Sequence, residues 1–255
     1  MKRVWLCAAL AAPLVCQAQS GWISLFDGKT MAGWDDPRQK VPPGDAWTIE
    51  DGCLKANRSP RITEDLFTKA VFRDFELEWE WKVAPGANSG VKYRIQDHVF
   101  LAHHAAHGFE DLVNFSLLHR PEGRPSHGQD YVVGFEYQIL DNARNSDARE
   151  GTSHQAGALY DIMGPTKDVT RPAGEFNQSR LVVKGNHVEH WLNGVKVVDT
   201  YLDSPLAKER IAHRWGRGTP VDIDLSTQPR KECPISLQNH TGDTWFRNIR
   251  IRRLD

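Results

Sequence analysis

The chain reads as an all-β sandwich of two antiparallel sheets, and three features say so. Apolar residues recur at every second position in one segment after another, as they do in half-buried strands. Glycine-bearing turn signals separate these segments at intervals of roughly 8–15 residues. Stretches with a helical period are few. The composition, 40% apolar and 25% charged over 255 residues, is that of a globular chain and excludes a disordered or fibrous one. With 32 basic against 33 acidic residues the formal charge is -1. No global field therefore draws in nucleic acid or an anionic membrane. Nine tryptophans, twenty glycines and eleven histidines stand out, and fit short strands, tight turns and a cleft that stacks flat ligands such as sugars.

The elements follow in order. Met1-Lys2-Arg3 is a basic start, Val4 to Cys16 an apolar run, and Cys16-Gln17-Ala18 a small-residue exit. This is the layout of a Sec-type signal peptide, residues 1–18, and it predicts a periplasmic or secreted protein. The run is shorter than the roughly 20 residues that span a bilayer, no later stretch reaches that length, and no membrane span is expected. Residues 20–255 show neither a composition break nor a repeat and are expected to form one domain. After cleavage Cys53 and Cys233 remain. In an oxidising compartment they could pair, or they could stand as two separate buried thiols; spacing leaves both open.

Phe75 to Val83 alternates strictly, with Phe75, Leu77, Trp79, Trp81 and Val83 on one face and charged residues on the other. Val91 to Ile95, Phe135 to Leu140, Arg180 to Val183, His187 to Leu192, Val195 to Val198, Ile235 to Gln238 and Trp245 to Ile251 behave similarly. Asn193-Gly194 predicts a hairpin between 187–192 and 195–199, because a two-residue type I′ turn needs positive φ twice. Two segments break the rhythm. Residues 96–133 form a long His-rich insertion with a short helix expected near Leu101 to Leu118, and Ser204-Pro205 starts a capped helix.

Several residues could carry chemistry. Glu136 and Gln138 share one strand face, opposite Phe135, Tyr137 and Ile139. They suit the lining of a carbohydrate cleft, or equally a solvated polar face. Lys92 and Arg94 share a face opposite Tyr93, so the sheet that shows Glu136 is expected to show Arg94. His154 precedes the segment ending at Tyr160, and Gln238-Asn239-His240 closes another strand, where a histidine is placed for proton transfer. His103, His104 and His107 have helical i,i+3 and i,i+4 spacing and could hold a divalent metal, although no further ligand is evident. A Gly-x-Ser-x-Gly elbow, a phosphate loop and a Cys-x-x-Cys pair are all missing from the sequence. The paired glutamates of a retaining jelly-roll glucanase are missing too, since Glu136 and Asp141 fall on opposite strand faces.

Motif blocks run in order along the whole mature chain. They are Trp22 to Lys29 with Gly33-Trp34, Trp47 to Leu54, Asp74 to Trp81, Pro85 to Gly90 with Tyr93-Arg94, and Gly134 to Asp141. Then come His154 with Gly157 to Tyr160, Pro172 to Asn177, Leu192 to Val195, and Ile235 to His240 with Phe246 to Arg250. In these blocks the chain resembles the 3-keto-disaccharide hydrolase domain family. The resemblance implies a concanavalin A-like jelly roll with its carbohydrate cleft on a concave sheet face. It also implies cleavage of glycosides already oxidised at C3: a base removes the C2 proton, the C1 aglycone leaves, and water adds back. Position by position it implies Glu136 or His154 as base, Arg94 or His240 at the developing oxyanion, and Asn88, Gln138, Tyr160 and Gln238 around the sugar. Lys208 would close over the ligand from the helix after Pro205. Two departures stand out: the 96–133 insertion is long, and Phe176 stands where the family has tryptophan. A non-catalytic lectin-like or laminin-G-like module and an ordinary jelly-roll glycosidase are the other functions this scaffold allows. Oligomeric state is not legible.

Overall fold

The computed structural model describes residues 21–35, 45–60, 62–101, 128–227 and 229–254. Fourteen strands are found among them. They are β1 Ile23–Ser24, β2 Trp34–Asp35, β3 Trp47–Glu50, β4 Cys53–Ala56, β5 Ile62–Thr63, β6 Leu66–Thr68 and β7 Phe75–Val83. The rest are β8 Asn88–Leu101, β9 Gly128–Leu140, β10 Asn177–Lys184, β11 His187–Leu192, β12 Val195–Tyr201, β13 Ser236–Leu237 and β14 Thr244–Arg253. Two helices, α1 Pro205–Trp215 and α2 Pro220–Ser226, lie between β12 and β13. An eight-stranded sheet has the order β12-β11-β10-β7-β14-β4-β3 with β1 paired to β14, and a six-stranded sheet has the order β2-β6-β13-β8-β9-β5. Pairing is antiparallel throughout except for the short parallel contact of β5 with β9.

The predicted alternation is realised in β7. Phe75, Leu77, Trp79, Trp81 and Val83 point inward and are buried, and they meet Tyr93, Phe135, Tyr137 and Ile139 from the six-stranded sheet. Trp79 packs edge-on against Tyr137, with centroids 4.9 Å apart. On the opposite face of β7, Glu76, Glu78 and Glu80 stand directly across from Arg252, Arg250 and Arg247 of β14, and each pair is ion-paired. The Asn193-Gly194 hairpin forms as expected, with φ of 48° and 82° and Leu192 opposite Val195. Ser204 caps α1 through its side chain, which accepts from Ala207 N at 3.2 Å, with Pro205 at the first turn.

One open alternative is decided and one expectation is corrected. Cys53 and Cys233 are both free and buried, not paired. Cys53 belongs to β4 of one sheet, whereas Cys233 lies against β8 of the other, where its sulfur accepts from Ile95 N at 3.2 Å. The ends of the 96–133 insertion are strand: β8 runs on to Leu101 and β9 begins at Gly128. The remainder of that insertion, with the expected helix, lies outside the described residues, as does the signal segment. No described helix is long and apolar enough to cross a membrane.

Candidate active site

The site is built on β8 and β9, whose register sets Lys92 opposite Glu136 and Gly90 opposite Gln138. Because Val91, Tyr93, Phe135 and Tyr137 fill the core, Gly90, Lys92, Glu136 and Gln138 project from the outer face of the six-stranded sheet. Gln238 joins them just beyond β13, its N–H donating to Gly90 O at 2.8 Å. Two covers lie over this face. From α1, Arg214 donates to the Tyr131 hydroxyl at 2.7 Å and stacks on the Tyr160 ring at 4.6 Å. A loop containing single 3-10 turns at Asp147–Arg149 and Thr152–His154 brings Asp147 and Tyr160. The resulting pocket is lined by Asn88, Tyr131, Glu136, Gln138, Asp147, Tyr160, Arg214, Gln238 and His240. An adjoining compartment shares Tyr131, Glu136, Tyr160 and Arg214 and is closed by the apolar Ile162, Ile211, Trp215 and Leu225.

Glu136 is 8% exposed. Burial pushes its carboxyl above the usual range; Lys92 and Arg214 pull against that, and Asp147 adds to it. Space for this side chain comes from a glycine. A Cβ on Gly90 would sit 2.3 Å from Glu136 Oε1, so the carboxylate lies across the strand where any other residue would stand. Lys92 is 2% exposed, with Nζ 3.9 Å from both Asp65 and Glu136. Burial works against its ammonium, but Asp65 and Glu136 together hold its pKa above the ordinary lysine value.

Asp147 is engaged on both oxygens. Oδ1 meets His154 Nδ1 at 2.7 Å and accepts from Tyr160 OH at 3.3 Å; Oδ2 accepts from Asn88 at 3.3 Å and Gln138 at 3.2 Å. The other ring nitrogen of His154 lies 3.4 Å from Asp161. His154 is therefore clamped between two carboxylates behind Asp147, and holds that residue in place instead of facing the pocket.

The expected residues thus divide. Glu136, Gln138, Asn88, Tyr160, Gln238 and His240 converge, His240 at the exposed rim. Arg94 does not. The β8 register shifts between Tyr93 and Asp97, Arg94 takes a left-handed φ of 51°, and its guanidinium turns away to Asp74, Gly185 O and Lys231 O. Lys92, two residues earlier, occupies the place expected for it. Lys208 is exposed on α1, and Arg214 of the same helix reaches the pocket instead. The metal candidates His103, His104 and His107 lie outside the described residues. Among the described residues, His187, Glu189 and Asp199 are close enough to hold an ion, but Lys196 is already salt-bridged to both acids, at 3.2 and 2.5 Å.

Sequence reasoning missed Asp147, Arg214 and Tyr131. Arg214 had a signal: Ala207, Ile211 and Trp215 mark the buried stripe of α1 at four-residue spacing, and Arg214 borders it. A larger groove, about 890 Å³, lies on the outer face of the eight-stranded sheet between Trp22 and Trp191. Its Glu78 is ion-paired to Arg250 at 2.6 Å and its Glu80 to Arg247 at 2.8 Å, and none of the residues expected in the site lines it.

The sequence profile of the 3-keto-α-glucoside-1,2-lyase-like domain matches residues 21–252, which takes in every strand but the final residue of β14. The chain belongs to this family. The 3-keto-disaccharide hydrolase of Bacteroides thetaiotaomicron is 32% identical over 253 aligned residues, covering 92% of this chain and 79% of that protein. Two crystal structures from Parabacteroides distasonis, both provisionally assigned as glycosyl hydrolases, have the same fold. One superposes with a TM-score of 0.68 at 24% identity, over 92% of this chain and 94% of the other. The second gives 0.60 at 24% identity, over 91% and 99%. In this member of the 3-keto-α-glucoside-1,2-lyase-like family, the segments Gly134 to Asp141 and Ile235 to His240 supply Glu136, Gln138, Gln238 and His240 to one pocket.

Proposed function

We propose that the protein cleaves glycosides whose sugar carries a ketone at C3, by elimination across C1 and C2 followed by addition of water. Family membership and the hydrolase relative support a carbohydrate-active, glycoside-acting enzyme. The finer reading rests on one observation: Glu136 lines the pocket as a buried carboxylate near two cations, while the other lining carboxylate, Asp147, is saturated by four donors. An ordinary glycosidase needs two working carboxylates. Elimination needs one base, an electrophile at the ketone and a proton source for the leaving group.

In this scheme Glu136 takes the C2 proton, which the C3 ketone acidifies. Arg214 stabilises the enolate oxygen at C3. The electron pair then expels the C1 oxygen, which takes a proton from His240 at the rim, and water adds across the new double bond. Net hydrolysis results. We infer the compartment only from the signal-like pattern of residues 1–18, which favours the periplasm or the outside of the cell.

The test compares chromogenic glucosides with and without prior C3 oxidation, in D2O. Cleavage confined to the oxidised substrate, with deuterium entering at C2, is the expected result. Equal cleavage of the unoxidised glycoside would establish an ordinary glycosidase, and binding without turnover of either would establish a sugar-binding module.

A further inference from the structure

A lysine with 2% exposure beneath a pocket carboxylate is costly, because a buried ammonium needs compensation that a methionine of similar length would not. The way Lys92 is compensated is informative. Its short contacts go to neutral groups: Nζ donates to Val132 O at 3.1 Å and lies over the Tyr131 ring, 4.5 Å from its centroid. With the Gln238 amide oriented to satisfy both neighbours, its oxygen accepts from Lys92 Nζ at 3.1 Å and its nitrogen donates to Glu136 Oε1 at 3.3 Å. Both carboxylates stay at 3.9 Å, and the one behind, Asp65, is itself 2% exposed and held by the Ser236 hydroxyl at 3.2 Å. Lys92 therefore puts a full positive charge close to Glu136 without occupying the carboxylate's lone pairs.

We propose that Lys92, anchored by Asp65 and bridged through the Gln238 amide, is a positioning residue that orients Glu136 and supplies the charge against which its carboxylate forms. The proposal rests on the functional reading above, in which Glu136 is the proton acceptor. Among the described residues, the other charged and titratable groups that line the pocket with Glu136 are Arg214 from α1, Asp147 and Tyr160 from the covering loop, Tyr131 from β9 and His240 at the rim. Without Lys92, Arg214 would be left to oppose the pull of burial and Asp147 toward the protonated acid.

The experiment pairs two readouts on the same proteins: the pH profile of kcat/KM on a 3-keto-glucoside, and the titration of Glu136 by carbon NMR with side-chain-labelled glutamate, its signal assigned by its loss in Glu136→Gln. Lys92→Met is expected to move both midpoints upward by about one unit or more, a tenfold change in proton affinity per unit, with turnover recovering at alkaline pH. The double variant Asp65→Asn with Lys92→Met, which removes the stranded acid as well, is expected to fold and show the same displacement. Unmoved midpoints in either folded variant overturn the proposal. Turnover lost equally at every pH also overturns it, as does failure of both variants to fold, which would make Lys92 a folding element only. If the wild type cleaves no 3-keto-glycoside, the functional reading falls by itself and the NMR midpoint still decides what Lys92 does.

Discussion

Replacing Gly90 with alanine tests the site with a single methyl group. Gly90 does not have a positive φ, so alanine suits its extended backbone and by itself would reduce unfolded-chain entropy, a gain of about 0.4–1 kcal/mol. The conflict is local: the new Cβ would lie 2.3 Å from Glu136 Oε1, 2.8 Å from its Cδ and 2.9 Å from its Cγ. Relief to ordinary contact, 3.4 Å or more, displaces the carboxylate by about 1 Å. The Gln238 contact, already 3.3 Å, cannot survive such a move, and the alignment with Lys92 goes with it. A misplacement of that size costs on the order of 10²-fold in rate. Steady-state kcat/KM on a 3-keto-glucoside, with thermal unfolding on the same sample, is the assay; the expected outcome is a loss near that factor with Tm nearly unchanged. A double-mutant cycle sharpens it, because in a Glu136→Gln background the alanine has little left to disrupt. Undiminished kcat/KM in Gly90→Ala, or losses that simply multiply in the double variant, would refute the placement of Glu136 at the reacting centre.

Other expectations are as direct. Glu136→Gln keeps the shape and removes the base, so kcat should fall by about 10²–10⁴-fold while the far-UV dichroism spectrum stays that of the wild type. Arg94→Ala takes from Asp74 its ion-pair partner, leaving it the Gly185 N–H, and frees two backbone carbonyls, so it should lower stability in denaturant titration by roughly 3 kcal/mol and leave kcat/KM of the folded protein unchanged. Arg214→Met should cut kcat on the oxidised substrate by about 10²-fold or more, whereas Lys208→Met on the same helix should not measurably change it. His190 is buried between Tyr93 OH and Gly157 O, and burial lowers its pKa from 6.5 to about 4. The unfolded chain therefore binds this proton first, so the contribution is complete above pH 6.5 and is lost as pH falls toward 4, up to about 3 kcal/mol. Urea titrations across that range should show the slope in the wild type and a flatter one in His190→Gln.

The fold was legible wherever a simple period governs both the sequence and the structure. The alternation in 75–83 and 135–139 sorted core from outer face correctly, because burial of one strand face dictates the pattern, although Leu140, which alternation sends to the Glu136 face, is buried in the core cluster. Asn193-Gly194 marked its hairpin through its two positive φ angles. Arg94 shows where that logic ends. Strict alternation sends Arg94 to the face of Lys92, but a bulge with left-handed backbone at a non-glycine residue breaks the period, and no residue in Tyr93-Arg94-Ile95-Gln96 announces it. The helix start at Ser204-Pro205 was legible from capping chemistry, yet the residue it delivers depends on how the helix is rotated over the sheet. Lys208 points to solvent and Arg214 into the pocket, six residues and less than two turns apart. Asp147 lies in an aperiodic polar segment, where only the folded loop brings Asn88, Gln138, His154 and Tyr160 around it.

The two outer faces of the sandwich use the same residue types to opposite ends, and the difference is geometric. On β7, Glu78 accepts from Arg250 at 2.6 and 2.8 Å and Glu80 from Arg247 at 2.8 Å, partly open to water, so their lone pairs are taken and their charge is screened. On β9, Glu136 has its nearest lysine at 3.9 Å, a neutral amide between them, and almost no solvent. A carboxylate in the first setting is stable and inert. One in the second is harder to ionise and has its lysine at 3.9 Å, short of direct contact, which suits a base working near neutral pH. Composition counts all these glutamates alike. What separates the β9 carboxylate from those on β7 is a glycine opposite Gln138 that lets it lie down and a lysine held just short of contact.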